Sequence, residues 1–337
     1  MILQELANAL GLDAKGNLNH EVSSIAPIES AQATDLSFVV SARFSDALKL
    51  SRAGAVIIPE ALSGIAPGNY LVSDNSYAAY AKASWLLKPA LVQKPGVHES
   101  AFLDPSSRIA ATASVGPGAV IGAHTVIGEG VVIGAHCVLG TDVSVGAGTY
   151  LYPRVTFYDN TSVGNDCRFQ SGAIIGSEGF GYARTPEGWS QIQQTGGVRI
   201  GNRVHVGANT TIDCGAIEPT VIADGVIMDN QIQIAHNVQI GENTAIAGCV
   251  GVAGSTKIGA NCQIGGACNI VGHLSIADGV IINAASLVTR SIAEAGRYGS
   301  GTPLQPDRIW RRSFVNLSKL DDLFRRLRRL ERLNSID

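Results

Sequence analysis

From Val97 onward an aliphatic or aromatic residue recurs at every sixth position: Val97, Leu103, Ile109, Val115, Ile121, Ile127, and so on to Ile175. After an interruption the series resumes at Ile200, Val206 and Ile212. It restarts at Ile222 and runs through Met228, Ile234, Ile240, Ile246 and Val252 to Val288. A period of six fits neither the 3.6-residue helix nor the two-residue alternation of a simple strand. It fits a solenoid with flat β faces of six residues, one apolar side chain per face pointing inward. Glycine follows the apolar residue in many units, as in Val115-Gly116, Ile121-Gly122 and Ile258-Gly259. These read as corners, where a residue without Cβ reaches the required dihedrals cheaply. Three faces close a triangle, which predicts one coil per 18 residues.

Residues 1–96 do not follow the hexad. Leu3, Leu6, Ala7 and Leu10 predict a short helix stopped by Gly11. Residues 55–58 and 70–73 read as buried strands, and residues 77–87 as a helix behind an Asp74-Asn75 cap, with Trp85 on its apolar side. This is a small α/β domain, joined by a linker at residues 88–95 to a solenoid spanning 97–289. Two excursions break the period. Residues 176–199 include Gly179-Phe180-Gly181-Tyr182 and Trp189, too many aromatics for an idle surface link. The second, between Ile212 and Ile222, adds four residues around Asp213-Cys214-Gly215. In the extension 290–337, Leu317, Leu320, Phe324 and Leu327 are spaced 3, 4 and 3, predicting an amphipathic helix.

Only 16% of the 337 residues are charged and 39 are Gly, as a solenoid of tight corners requires. The net charge of −3 hides an asymmetry: residues 290–337 hold 11 Lys/Arg against 6 Asp/Glu, about +5, leaving about −8 elsewhere. Such a tail suits nucleic acid, anionic lipid or an acidic protein, and charge alone does not choose. Residues 1–11 lack the basic start of a secretory signal, and no run of 18 apolar residues offers a membrane span. Of six cysteines, Cys137, Cys167, Cys262 and Cys268 lie four residues after an inward aliphatic, in the slot for small residues. With no CxxC spacing, they read as packing residues in a reducing compartment.

Among seven histidines, His236 stands out, in Asp229-Asn230-Gln231-Ile232-Gln233-Ile234-Ala235-His236-Asn237. It follows inward Ile234 by two and so points outward from a corner. On a solenoid such a histidine is commonly surface decoration, but three features raise this one. Gly254 is 18 residues on, one coil along the same corner, and stacked strands lie ~4.8 Å apart. Gly272 and His273 follow one coil later. Small residues (Ala247, Gly248, Cys249, Gly251, Ala253) leave room for a narrow ligand. An imidazole can accept a proton from an attacking nucleophile at neutral pH. A backbone N–H facing a developing oxyanion supplies the other half of acyl transfer.

The aliphatic–Gly hexads resemble those of the hexapeptide acyltransferases, which fold as left-handed parallel β-helices against the usual crossover rule. The hand is implied by this resemblance alone. The block from Asp229 to Asn237, Gly254, His273, Gly176-Ser177-Glu178-Gly179-Phe180-Gly181-Tyr182 and Ser300-Gly301-Thr302-Pro303-Leu304-Gln305-Pro306 resemble the UDP-3-O-(3-hydroxyacyl)glucosamine N-acyltransferases of lipid A biosynthesis. The resemblance covers the whole chain, including the N-terminal domain that UDP-N-acetylglucosamine O-acyltransferases lack. It implies a mainly β protein: a uridine-binding α/β domain (1–96), a left-handed β-helix (97–289) and a basic helical extension (290–337).

The implied reaction moves a (3R)-3-hydroxyacyl chain from the thioester of acyl carrier protein to the 2-amine of UDP-3-O-acylglucosamine. His236 would be the general base and the Gly254 amide the oxyanion donor, with His273 and Asp229 in support and Asn230 and Gln233 at the substrate. The family stacks uracil between two aromatics, which maps onto Phe38 and Phe44, with Ser41 where the family often has Asn. Stacking needs only π faces, worth roughly 1–3 kcal/mol per base; the bland alternative is two core phenylalanines. Leu287 falls at the family's acyl-groove end, or is plain core beside Val288. Arg290, Arg308, Arg311 and Arg312 would dock the acidic carrier, while Arg325, Arg326, Arg328, Arg329 and Arg332 suit a solvated helix face. The resemblance further implies a cytoplasmic homotrimer with sites between subunits, no metal, no nucleic acid and at most peripheral membrane contact. Phosphopantetheine would arrive on the carrier, with no cofactor bound to the enzyme.

Three rivals remain. O-acylation of UDP-N-acetylglucosamine is the nearest. A carbonic anhydrase on the same solenoid needs three histidines on zinc, but His236 and His273 are two coils apart, and His205 and His136 lie in distant coils. A non-enzymatic scaffold explains the period but not the N-terminal aromatics, the Trp189 loop or the basic tail.

Overall fold

The first helix, α1 (Leu3–Leu10), buries Leu3, Leu6 and Ala7 and stops at Gly11, whose φ of 66° frees its N–H for the Ala7 and Asn8 carbonyls. A five-stranded sheet follows: β1 (Asp13–Lys15), β2 (Ser24–Ile25), β3 (Asp35–Phe38), β4 (Ala55–Ile58) and β5 (Tyr70–Val72), in the order β1-β5-β4-β3-β2. Only β1 runs antiparallel to its neighbour. Strand β4 is apolar throughout because both its faces are covered. Ala55 and Ile57 pack with Leu3, Leu6 and Leu71, whereas Val56 and Ile58 pack with Val39 and with Leu48 of α2 (Ser45–Leu50). Asn75 caps α3 (Ser76–Leu87), its Oδ1 accepting from Ala78 N at 3.0 Å. The buried stripe of α3 is Ser76, Ala79 and Ala83. Trp85, expected on the apolar side, is 53% exposed; two residues past Ala83, it sits on the opposite side of the helix.

The structure, a computed structural model, describes residues 1–89, 93–301 and 303–333. Its two units part between residues 92 and 93. Part of the expected linker (90–92), Thr302 of the expected motif and residues 334–337 lie outside the described residues.

Beginning at Gly96–Val97, the hexads build three parallel sheets of ten, nine and eleven strands. Away from the excursions, strands pair with those 18 residues on, as in Ile121↔Leu139, Ile127↔Val145 and Ile133↔Leu151. The inward hexad residues form one continuous core along the axis. The reason for glycine after them differs from the expectation. Left-handed dihedrals fall two residues later, on His124 (φ 57°), Asp142 (56°), Asn237 (60°) and His273 (61°) among others. What Gly122 permits is close approach of the next coil: a Cβ there would meet Gly140 O at 2.5 Å, and one on Gly134 would meet Pro153 N at 2.6 Å. The eleven-stranded sheet also continues past residue 289, through Gly296–Tyr298 on Val280–Ile282.

Corner slots are filled by groups that satisfy the backbone. Thr244 Oγ1 donates to Gly259 O at 2.8 Å and accepts from Cys262 N at 3.0 Å. Cys137, Cys262 and Cys268 do half of this, their Sγ donating to Tyr152, Ala277 and Asn283 carbonyls at 3.1, 3.2 and 3.1 Å. Burial pushes the Cys137, Cys167 and Cys262 thiols up, which keeps them protonated as donors. All six cysteines are free.

Both excursions loop out of an uninterrupted stack. Pairing in the nine-stranded sheet jumps from Val163 to Ile200 and from Ile200 to Ile222 in unbroken register. The first excursion carries an antiparallel hairpin, Tyr182–Thr185 with Gly188–Gln191. The expected helical extension holds two helices, α4 (Asp307–Leu317) and α5 (Leu320–Leu333), and the Leu317 to Leu327 spacing read as one amphipathic helix spans the break between them. Ser318 Oγ bonds back to Val315 O at 2.7 Å at the break. The apolar side chains of both helices are exposed.

Candidate active site

His236, Gly254 and His273 share one corner, between the strands Gln233–Ile234 and Gln239–Ile240 and the coils stacked on them. Ser255 N bonds to His236 O at 2.9 Å, and His273 N to Gly254 O at 3.0 Å, so successive coils are clamped in register. The imidazole lies against the Gly254 backbone. A Cβ on Gly254 would come within 2.6 Å of His236 Nε2 and 2.7 Å of Cε1. Gly179 of the first excursion closes the other side, since a Cβ there would meet His236 Cβ at 2.6 Å. A side chain at either place would displace His236.

Asn237 sets the tautomer. Its Nδ2 donates to Glu218 O at 2.7 Å and its Oδ1 accepts from Ala216 N at 3.0 Å, which fixes the amide orientation. The same Oδ1 lies 3.0 Å from His236 Nδ1 and can only accept there. The ring proton therefore sits on Nδ1, leaving the Nε2 lone pair beside Gly254 free to take a proton.

The Gly254 amide is left open by its neighbour one coil on. At the equivalent position in several coils, where the following coil carries Asn or Asp, the N–H is capped: Ala147 by Asn165 Oδ1 at 2.8 Å, Ala208 by Asn230 Oδ1 at 2.6 Å, Ala260 by Asp278 Oδ1 at 2.7 Å. The register mate of Gly254 is Gly272, which has no side chain to offer. Among the described residues nothing accepts from the Gly254 N–H. An N–H so freed beside a basic imidazole is what an acyl-transfer transition state requires.

Sequence reasoning passed over two residues here. One is Asn237. The other is Asp213, whose carboxylate accepts from Ser177 Oγ at 2.8 Å and from Gln233 Nε2 at 2.8 Å. Burial pushes its pKa up, while those two bonds and nearby His236 oppose the rise. Its placement in a period-breaking excursion was the available signal.

Other expected site residues are placed elsewhere. Asp229 and Asn230 occupy the preceding corner, between Ile227–Met228 and Gln233–Ile234. There Asp229 Oδ2 accepts from Gly248 N at 3.1 Å, and Asn230 caps Ala208. Within one chain they do not join His236. Gln233, expected at the substrate, has both ends of its amide engaged, by Asp213 and by Thr211 Oγ1. Leu287 is 58% exposed beside a cavity of about 540 Å³ that Arg290, Tyr298 and Ser300 also line, so it is not core. Arg290, Arg308, Arg311 and Arg312 are all exposed, and Arg311 pairs with Asp307 at 3.0 Å.

In the N-terminal unit, Phe38 and Phe44 line one cavity of about 380 Å³ together with Pro27 and Tyr80. Phe38 already stacks on Tyr80, with ring centroids 4.1 Å apart and planes 20° from parallel. Ser41 is exposed and opens a short 3-10 turn, Ala42–Phe44. Among the described residues, no group of three or more His, Cys, Asp or Glu is arranged to hold a metal. No helix there is long and apolar enough to cross a membrane.

Comparison with known proteins converges on the same chemistry. A family profile for UDP-3-O-(3-hydroxymyristoyl) glucosamine N-acyltransferase, LpxD, matches residues 19–86, and one for bacterial transferase hexapeptide (six repeats) matches residues 106–141 and 124–158. The UDP-3-O-acylglucosamine N-acyltransferase of Pseudomonas putida is 50% identical over 332 residues, 98% of this chain and 95% of that one. Its counterpart in Pseudomonas aeruginosa is 48% identical over 330 residues, 98% of this chain and 94% of that one. A solved UDP-N-acetylglucosamine acyltransferase from Campylobacter jejuni is 22% identical, covering 58% of this chain and 68% of that one at a TM-score of 0.48. With 50% identity sustained along nearly its whole length, this chain belongs to the UDP-3-O-acylglucosamine N-acyltransferase family, and its hexapeptide solenoid is a left-handed β-helix.

Proposed function

We propose that the protein acylates the 2-amine of UDP-3-O-(3-hydroxyacyl)glucosamine with a (3R)-3-hydroxyacyl chain from acyl carrier protein, giving the UDP-2,3-diacylglucosamine of lipid A biosynthesis. The observation that carries this reading is the His236 Nε2 lone pair beside the open Gly254 amide, in a chain of this family. The amine nitrogen attacks the thioester carbonyl while Nε2 takes its proton. Gly254 N–H faces the oxyanion. As the tetrahedral intermediate collapses, the C–S bond breaks and the phosphopantetheine thiolate leaves, taking up the proton held by His236. No step needs a metal.

The cavity holding Phe38 and Phe44 is where the uracil would stack, with Tyr80 backing Phe38. Leu287 would bound the acyl groove, and Arg290, Arg308, Arg311 and Arg312 would meet the acidic carrier. A homotrimer completes this arrangement: an outward corner leaves one wall of the cleft to a neighbouring subunit, which would bring its Asp229 and Asn230 into reach, while His273 stands on the same corner as His236. Six unpaired thiols suit a cytoplasmic setting.

The test is His236→Ala, assayed with hydroxyacyl carrier proteins of several chain lengths. The variant is expected to keep its fold and trimeric state and to lose at least ~10³-fold in kcat, combining loss of the base with loss of its orientation. Near-normal turnover would remove the assignment.

A further inference from the structure

Two segments break the hexad, and they converge on one carboxylate. Pairing between the first excursion and the coil after it runs Ile175↔Ile212 and then slips to Ser177↔Asp213. The slip falls at Gly176, where φ is 90°. Such a bulge re-aims a side chain without ending the strand, and here it turns Ser177 Oγ onto Asp213 Oδ1 at 2.8 Å. From the His236 coil, Gln233 Nε2 takes the other oxygen at 2.8 Å. Gln233 is itself held by Thr211, so the carboxylate is gripped from three strands' worth of chain.

We propose that Asp213 is the positioning residue of this site: fixed by Ser177 and Gln233, it holds a negative charge near His236 that balances the positive charge the imidazole acquires on accepting the amine proton. The inference rests on the reading of His236 as proton acceptor. Both oxygens of Asp213 accept hydrogen bonds, so it works as an oriented anion and not as a proton donor. The neighbouring titratable groups do not compete. Glu178 is engaged by Gln191 Nε2 at 2.6 Å, Cys214 is pushed up by burial and stays neutral, and Glu218 reaches this corner through its backbone carbonyl. His273 is exposed on a later coil. A half-buried charge acts on its neighbour through less screening than a surface one.

The experiment uses the full-length enzyme with saturating donor and acceptor. Asp213→Asn keeps the shape and removes the charge. We expect kcat to fall about 10-fold or more, KM for both substrates to stay within about two-fold, and the acidic limb of the kcat/KM profile to move about one unit to lower pH. The reasoning is that a lost counter-charge disfavours the imidazolium, and one unit corresponds to ten-fold. Asp213→Glu retains the anion and is expected to keep the acidic limb in place. A wild-type kcat in Asp213→Asn, an unmoved limb, or a loss expressed in KM alone would overturn the proposal. If Asp213→Asn does not fold, Asp213→Glu decides, because a displaced limb there refutes it equally. His236→Ala, run in parallel, separates the two readings: activity surviving in that variant defeats the base assignment itself, whereas a dead His236→Ala beside an indifferent Asp213→Asn defeats only this one.

Discussion

Replacing Gly272 by asparagine should close the Gly254 amide without touching His236. Elsewhere in the solenoid an Asn or Asp at this register caps the preceding coil at 2.6 to 2.8 Å. A Cβ on Gly272 would lie 2.9 Å from the backbone oxygen of Gly254 and 3.8 Å from Ala253 Cβ, so the coil must shift to admit it. The new hydrogen bond contributes about 0.5–1.5 kcal/mol, which offsets part of that strain. Stability should therefore fall less than in a variant with the same Cβ and no cap. Catalysis should change greatly, because withdrawing one oxyanion donor costs about 10²–10³ in kcat, roughly 3 kcal/mol. Gly272→Ala is the matched control, carrying the same Cβ and no cap, with an expected loss of a few-fold at about 1 kcal/mol or less. Steady-state kcat for both variants, beside their melting temperatures, reads out the difference. Equal losses in the two variants would mean that crowding, not capping, is responsible. Wild-type turnover in Gly272→Asn would mean that the Gly254 N–H plays no part in the transition state.

Two further outcomes can be checked. Phe44→Ala should raise KM for the UDP substrate by about 10-fold, from loss of a stacking face worth ~1–3 kcal/mol, and leave KM for the acyl donor unchanged; isothermal titration with UDP alone would show the same loss, and equal effects on both substrates would count against stacking. Thr244→Val should lower unfolding stability by about 1–3 kcal/mol, since it strands Gly259 O and Cys262 N, while kcat stays at the wild-type value; chemical denaturation of the purified protein measures it.

Much of the solenoid was legible because its signal is periodic. A hydrophobic residue every six positions fixes coil length, and coil length alone brings Gly254 and Gly272 above His236. What sequence could not show is why a given glycine is needed. Gly122 reads like a turn residue but adopts no left-handed dihedral; its constraint is a carbonyl 18 residues away, at Gly140. Trp85 was misplaced because most of α3 is apolar, so burial is decided by the sheet beneath and not by a polar side. Asp213 and Asn237 escaped for another reason. Their partners, Ser177, Ala216 and Glu218, belong to excursions whose paths no period predicts. The Gln233 amide looked available for substrate until Asp213 and Thr211 claimed both of its ends.

The looped-out excursions have an evolutionary corollary. Ile200 stacks on Val163 as neatly as Leu139 does on Ile121, although far more chain intervenes. Closing a longer loop costs free energy only logarithmically in its length. A solenoid of this kind can therefore acquire new chemistry by lengthening at its edges while every rung below and above keeps its partner, and a tolerant ladder is a natural substrate for inventing specificity.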